Sequence, residues 1–182
     1  GSVLVFAAGN SGETPGADTN LCPLTRSPYA VTVGAVLPSG KYAPYSVPGK
    51  SVLITAPSGN LDGSDGLMAP RTVYDPKTGS LVHDCVTNFT GTSAAAPIVS
   101  GIVAMMLQQN PLLSYQDVKQ VLIHSARKID ESDPSWTTNP AGVSYSKHYG
   151  FGYIDAKAAT DLAAVWPPTT TYTTQIAEIA TN

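Results

Sequence analysis

The string Gly91-Thr92-Ser93-Ala94-Ala95-Ala96-Pro97 runs into an apolar stretch, residues 98–107, and holds the side chain in this sequence best placed to do chemistry. A serine that opens a helix has its hydroxyl beside unpaired backbone N–H groups and the positive end of the helix dipole. That setting suits an atom that attacks a carbonyl and leaves an oxyanion to be stabilised. The neighbours fit the same chemistry. Gly91 lets a substrate backbone approach, Ala94 to Ala96 keep the first turn narrow, and Pro97 removes the helical bond that would run back to the Ser93 carbonyl. Gly-Thr-Ser alone describes any small-residue helix start capped by Thr92 or Ser93. The full heptapeptide ahead of an apolar helix favours nucleophilic catalysis.

Asn10 is the second candidate. Residues 2–8, Ser-Val-Leu-Val-Phe-Ala-Ala, make a short apolar run that reads as a buried parallel strand and ends in Gly9-Asn10-Ser11-Gly12. Asn10 therefore stands at a strand's C-terminal end, where open α/β sheets bind ligands, and a side-chain amide there can donate to developing negative charge. Taken alone, Asn10 reads as a turn asparagine tolerating left-handed geometry. Its pairing with the Ser93 string favours the donor role.

The elements that must position these groups follow from the pattern. Residues 29–36 and 51–56 are two further parallel strands, and a Gly/Ser/Asp-rich loop follows Ala56. Residues 71–74 and 80–86 flank Asp75-Pro76-Lys77-Thr78-Gly79, a turn that closes a β-hairpin and delivers the chain to Ser93. The helix after Ser93 is apolar nearly all round, with Ile98, Val99, Ile102, Val103, Met105, Met106 and Leu107, so it is expected to be buried. Ser114 and Asp117 have the spacing of an acidic capping box for a surface-packed helix with Val118, Val121 and Leu122 on its inner face. An irregular segment follows, then a last helix capped by Asp155 and stopped at Trp166-Pro167-Pro168. Residues 167–182 are rich in proline and threonine and read as an extended linker.

At 182 residues with 42% hydrophobic content, the chain can bury one substantial core. A net charge of −3 without a basic stripe argues against a nucleic-acid surface, and no apolar run approaches the ~18 residues of a membrane span. Gly1-Ser2 leads directly into a core strand, so the chain is expected to begin inside a domain.

The Ser93 heptapeptide and the Ala8-Gly9-Asn10-Ser11-Gly12 setting resemble the nucleophile and oxyanion segments of subtilases. Residues 111–118, Trp136-Thr137-Thr138-Asn139 and residues 148–156 are similar to kexin and furin segments, so the likeness runs in colinear order over about residues 1–166. It implies the C-terminal portion of a catalytic domain: a three-layer α/β fold with a mostly parallel sheet, and a serine endopeptidase with Ser93 as nucleophile and Asn10 in the oxyanion hole. It also implies a polypeptide substrate, a secretory address, a pro-segment and a β-rich accessory domain after the linker. Subtilases run in the order Asp, His, Ser. His83, His124 and His148 lie in no His-Gly-Thr type motif, so the base and the orienting aspartate are expected from the remainder of the catalytic domain, and the chain alone is expected to be inactive. Two other classes stand beside this reading: a pseudoprotease that keeps the fold as a binding module, and an unrelated α/β domain in which the heptapeptide is coincidence.

Furin-like enzymes hold a basic P1 side chain and a neighbouring calcium ion with acidic residues placed after the oxyanion asparagine and after a Tyr-Ser pair. At the matching places, residues 17–23 and Tyr45-Ser46-Val47, only Asp18 is acidic. A buried cation without its carboxylate is costly and calcium takes six or more oxygens, so the likeness implies a relaxed or non-basic P1 preference and at most a weakened calcium site with Asp18 as its remaining ligand. Cys85 matches a furin-type cysteine that is disulfide-bonded to an upstream partner. Within this chain a Cys22–Cys85 bridge and two free buried thiols are both open. The sequon Asn88-Phe89-Thr90 reads as a buried strand or active-site wall, and therefore as structural.

Overall fold

In the computed structural model, residues 2–167 are described; the linker expected over residues 167–182 lies almost wholly outside them. Three strands, β1 (Leu4–Ala7), β2 (Ala30–Val36) and β3 (Val52–Pro57), pair in parallel in the order β1-β2-β3, with Leu4 opposite Ala30 and Val33 opposite Ile54. β2 is central, and every one of its residues is buried. Val31, Val33 and Ala35 join Val99, Val103 and Met106 of helix α1 (Thr92–Gln109) and Val118, Val121 and Leu122 of helix α2 (Tyr115–Ser125) in one apolar cluster. Thr32 and Gly34 point the other way, into a layer of loops: Thr32 Oγ1 donates to the Thr25 carbonyl at 2.7 Å, and a methyl on Gly34 would meet Thr55 Cγ2 at 3.0 Å and the His148 carbonyl at 3.5 Å. β2 thus reads as continuous Ala/Val/Thr because it is covered on both faces. The result is the three-layer α/β arrangement.

The capping residues fall where they were expected. Ser114 and Asp117 bond each other's backbone N–H groups at the start of α2, and Asp155 accepts from Ala158 N at 2.9 Å at the start of helix α3 (Ala156–Val165). Antiparallel strands β4 (Leu67–Asp75) and β5 (Ser80–Phe89) form the hairpin, with Asp75 accepting from Lys77 N at 2.9 Å in the turn.

Four expectations are corrected. α1 is not buried all round: Ser100, Gly101, Ala104 and Gln108 are exposed and Met105 is 44% exposed, because one face of the helix meets none of the described residues. β1 is an edge strand paired only with β2 among the described residues, so Leu4 is 48% exposed rather than buried. The β4–β5 ribbon is exposed along most of its length, so the Asn88 sequon stands on an open strand and not on a buried wall. Cys22 and Cys85 are both free and both exposed, so they are neither bridged to each other nor buried.

The segment read as irregular contains a small hairpin, β6 (Trp136–Thr138) with β7 (Ser144–Ser146). The Trp136 ring stacks on Tyr149 at 5.6 Å. Tyr149 is fully buried, accepts from Tyr42 N at 2.7 Å and donates to Asp130 at 2.9 Å. Burial, followed by the Asp130 carboxylate, pushes its phenol well above the ordinary range, so it stays a donor.

Candidate active site

Three separate stretches of chain meet at the carboxyl end of the sheet. β1 delivers Gly9 and Asn10, β3 delivers Ser58, and β5 delivers Gly91, the residue that caps α1. Gly91 has φ 84° and ψ 170°, a conformation essentially reserved for glycine, and it turns the chain abruptly from strand into helix. Ser93 then lies exposed on the first turn of α1, among the backbone N–H groups that have no acceptor within the helix. The structure brings Asn10 to this turn. Its Oδ1 accepts from Thr92 N at 2.9 Å and from Thr92 Oγ1 at 2.8 Å, and Thr92 Oγ1 in turn accepts from Gly9 N at 3.1 Å. Both Thr92 groups facing the amide are donors, so the atom that meets them is the oxygen and Nδ2 is turned away. Nδ2 lies against Gly91, where a Cβ would come within 2.9 Å of it. The site therefore presents a side-chain amide donor, fixed at its oxygen end, beside the start of a helix whose first turn carries a serine.

Behind this face lies a buried hydroxyl pair. Ser58 Oγ donates to the Gly91 carbonyl at 2.9 Å, and the single Tyr45 Oη proton is shared between Ser58 Oγ at 3.0 Å and the Gly59 carbonyl at 2.8 Å. The Tyr45 loop also grips the Asn10 turn through its backbone, with Gly12 N donating to the Tyr45 carbonyl at 2.7 Å and Val47 N to the Gly9 carbonyl at 3.0 Å.

Beside Gly9 opens a cavity of about 440 Å³ whose lining includes Ala7, Ser11, Asp18, Cys22 and Val47. Asp18 is the one acidic residue in the lining, and its Oδ1 is committed to Asn20, from N at 2.8 Å and from Nδ2 at 2.7 Å. Among the described residues no group of three His, Cys, Asp or Glu side chains could hold a metal ion. Calcium takes six to eight oxygens, so Asp18 and its described neighbours do not by themselves fit that ion.

The subtilase family profile matches residues 1–152. The chain is a subtilase. Among proteins similar to it are a "PC3-like endoprotease variant B" of Hydra vulgaris and the human "Proprotein convertase subtilisin/kexin type 7". Each is 34% identical over 168 residues and covers 91% of this chain. The serine protease of Aeromonas sobria superimposes with a TM-score of 0.80 at 25% identity, over 93% of this chain and 38% of its own. The chain spans only 22% and 20% of the lengths of the two curated relatives.

In this subtilase, none of the histidines among the described residues is bonded to Ser93. His83 lies on the exposed ribbon, 3.1 Å from Thr72, and His124 is exposed on α2 beside Trp166. His148 is half-buried, with Nδ1 2.9 Å from Asp133 and its ring stacked on Tyr42 at 4.4 Å. This Asp–His pair was not foreseen, because its members are separated by the whole β6–β7 hairpin. Nor were Tyr45, Ser58 and the double role of Thr92. They are ordinary residue types in ordinary strings, and the one available signal was that Ser58 is a small hydroxyl residue directly after a strand and Thr92 one that opens a helix.

Proposed function

We propose that this subtilase chain is the nucleophile-bearing part of a serine endopeptidase. Ser93 Oγ attacks the scissile carbonyl carbon, the leaving amine departs, and water releases the acyl group from Ser93. Asn10 Nδ2 and the N–H of Ser93 itself donate to the oxyanion. The observation that carries this reading is the orientation of the Asn10 amide, oxygen held by Thr92 and Nδ2 turned out beside Gly91. An amide fixed before the reaction stabilises charge without reorganising when the charge appears, which is where such donors are effective.

The proton of Ser93 is taken by a histidine, itself oriented by an aspartate, supplied by the rest of the catalytic domain, so these residues alone are inactive. The substrate is a polypeptide, and a pro-segment and a C-terminal accessory domain complete the protein. The secretory pathway is its address, in keeping with the kexin-like relatives. No helix among the described residues is long and apolar enough to cross a membrane. The cavity beside Gly9 takes the P1 side chain with a relaxed or non-basic preference, and any calcium ion beside Asp18 is weakly held.

An organophosphonate serine probe tests the assignment. Applied to the complete active protein, it is expected to attach to Ser93, as mapped by peptide mass. Attachment at another serine, or at none, overturns the reading.

A further inference from the structure

We propose that Ser58, supported by Tyr45, is a positioning residue for the oxyanion donors: it locks the Gly91–Thr92 peptide, and that peptide holds the Asn10 amide. The proposal rests on the reading of Ser93 and Asn10 given above. The Gly91–Thr92 peptide is one rigid plane. Its carbonyl end accepts from Ser58 Oγ at 2.9 Å, and its N–H end donates to Asn10 Oδ1 at 2.9 Å. Tilting the plane at one end therefore moves the partner at the other.

The backbone at Gly91 does not itself hold that plane. Gly91 sits at φ 84° and ψ 170°, where glycine has no side chain to restrict it. The remaining bond to its carbonyl, from Ala94 N at 3.0 Å, is the usual first-turn contact and comes from the same helix that the plane must orient. Ser58 is the anchor from outside the helix, on the far side of β2 from Asn10. Its single proton is given to Gly91, so towards Tyr45 Oη it can only accept, and Tyr45 shares its one proton between Ser58 Oγ and the Gly59 carbonyl. Ser58 is 1% exposed and Tyr45 4%, so water does not compete for these bonds. Tyr45 also reaches the Asn10 turn through its own carbonyl, which accepts from Gly12 N at 2.7 Å. The Asn10 turn and the Gly91 peptide are thus referenced to one buried tyrosine.

The test is Ser58→Ala in the complete enzyme, with kcat expressed per phosphonate-titrated active site so that unfolded protein is not counted. Loss of the anchor is expected to lower kcat about tenfold with KM unchanged, the effect of one neutral hydrogen bond felt in the transition state. Placed in an Asn10→Ala background, the same substitution is expected to change kcat by no more than about twofold, because the amide it positions is gone. Tyr45→Phe leaves Ser58 its proton to give and is expected to produce a smaller loss, also absorbed by Asn10→Ala. If Ser58→Ala yields no titratable enzyme, Tyr45→Phe carries the test alone. Wild-type kcat in both variants, or a full tenfold loss persisting without Asn10, overturns the proposal. Failure of the phosphonate to titrate Ser93, or an Asn10→Ala variant with normal kcat, instead overturns the reading on which it rests.

Discussion

Replacing Gly91 by alanine separates two demands that this position meets at once. Its φ of 84° and ψ of 170° lie where an alanine costs about 1–3 kcal/mol, a penalty on folding that is independent of any substrate. The added Cβ would also stand 2.9 Å from Asn10 Nδ2 and 3.3 Å from its Oδ1. The oxygen is pinned at 2.9 and 2.8 Å by Thr92, so the amide yields by swinging Nδ2. Full loss of an oxyanion donor costs roughly a hundred- to a thousandfold in kcat, which sets the ceiling for the displacement. We expect Gly91→Ala to lose at least about tenfold and not to exceed that ceiling. The assay is kcat, KM and thermal midpoint for the complete enzyme, Gly91→Ala, Asn10→Ala and the double variant. Without Asn10 the new methyl has no amide to push, so the double variant should match the kcat of Asn10→Ala while keeping the lowered midpoint. A double variant much slower than Asn10→Ala, or a Gly91→Ala enzyme with normal kcat, refutes the geometry argued for this turn.

Asn10→Ala itself is expected to lower kcat by roughly a hundred- to a thousandfold with little change in KM, since its donor is used mostly in the transition state; an effect on KM alone would make Asn10 a substrate-binding residue instead. Cleavage profiling on a peptide library is expected to show a relaxed or non-basic P1 preference, and strict cleavage after Lys-Arg or Arg-Arg pairs would contradict it. In a calcium titration of thermal stability, Asp18→Asn is expected to track the unaltered enzyme closely, and a large calcium-dependent stabilisation lost in the variant would show a strong site there.

The parts of this molecule legible in the sequence are those where a local string determines a local outcome. Ser114 and Asp117 bond each other because their spacing alone brings them together, and the all-buried β2 declares itself by having no polar face to offer. The placement of Ser93 and Asn10 was legible for a similar reason: each sits at a strand or helix end marked by glycine and small residues. What escaped was decided by distant neighbours. Met105 and Leu4 look like core residues, and their exposure depends on what stands opposite α1 and β1. Ser58 and Tyr45 acquire their roles only because β3 and the loop before it end beside Gly91. The exposed cysteines show the same limit, since a thiol's partner is a matter of three-dimensional reach.

The bonds that fix Asn10 join residues 82 and 83 positions apart in the chain, Thr92 to Asn10 and Gly9 to Thr92. Such contacts close late in folding, because the loop between them must lose its freedom before they return any stability. A chain that has made α1 but not yet docked it against β1 carries the serine without its amide partner. On the proposed reading, full reactivity is thereby made conditional on completed long-range assembly, and a partly folded copy lacks the roughly hundred- to thousandfold that the amide supplies.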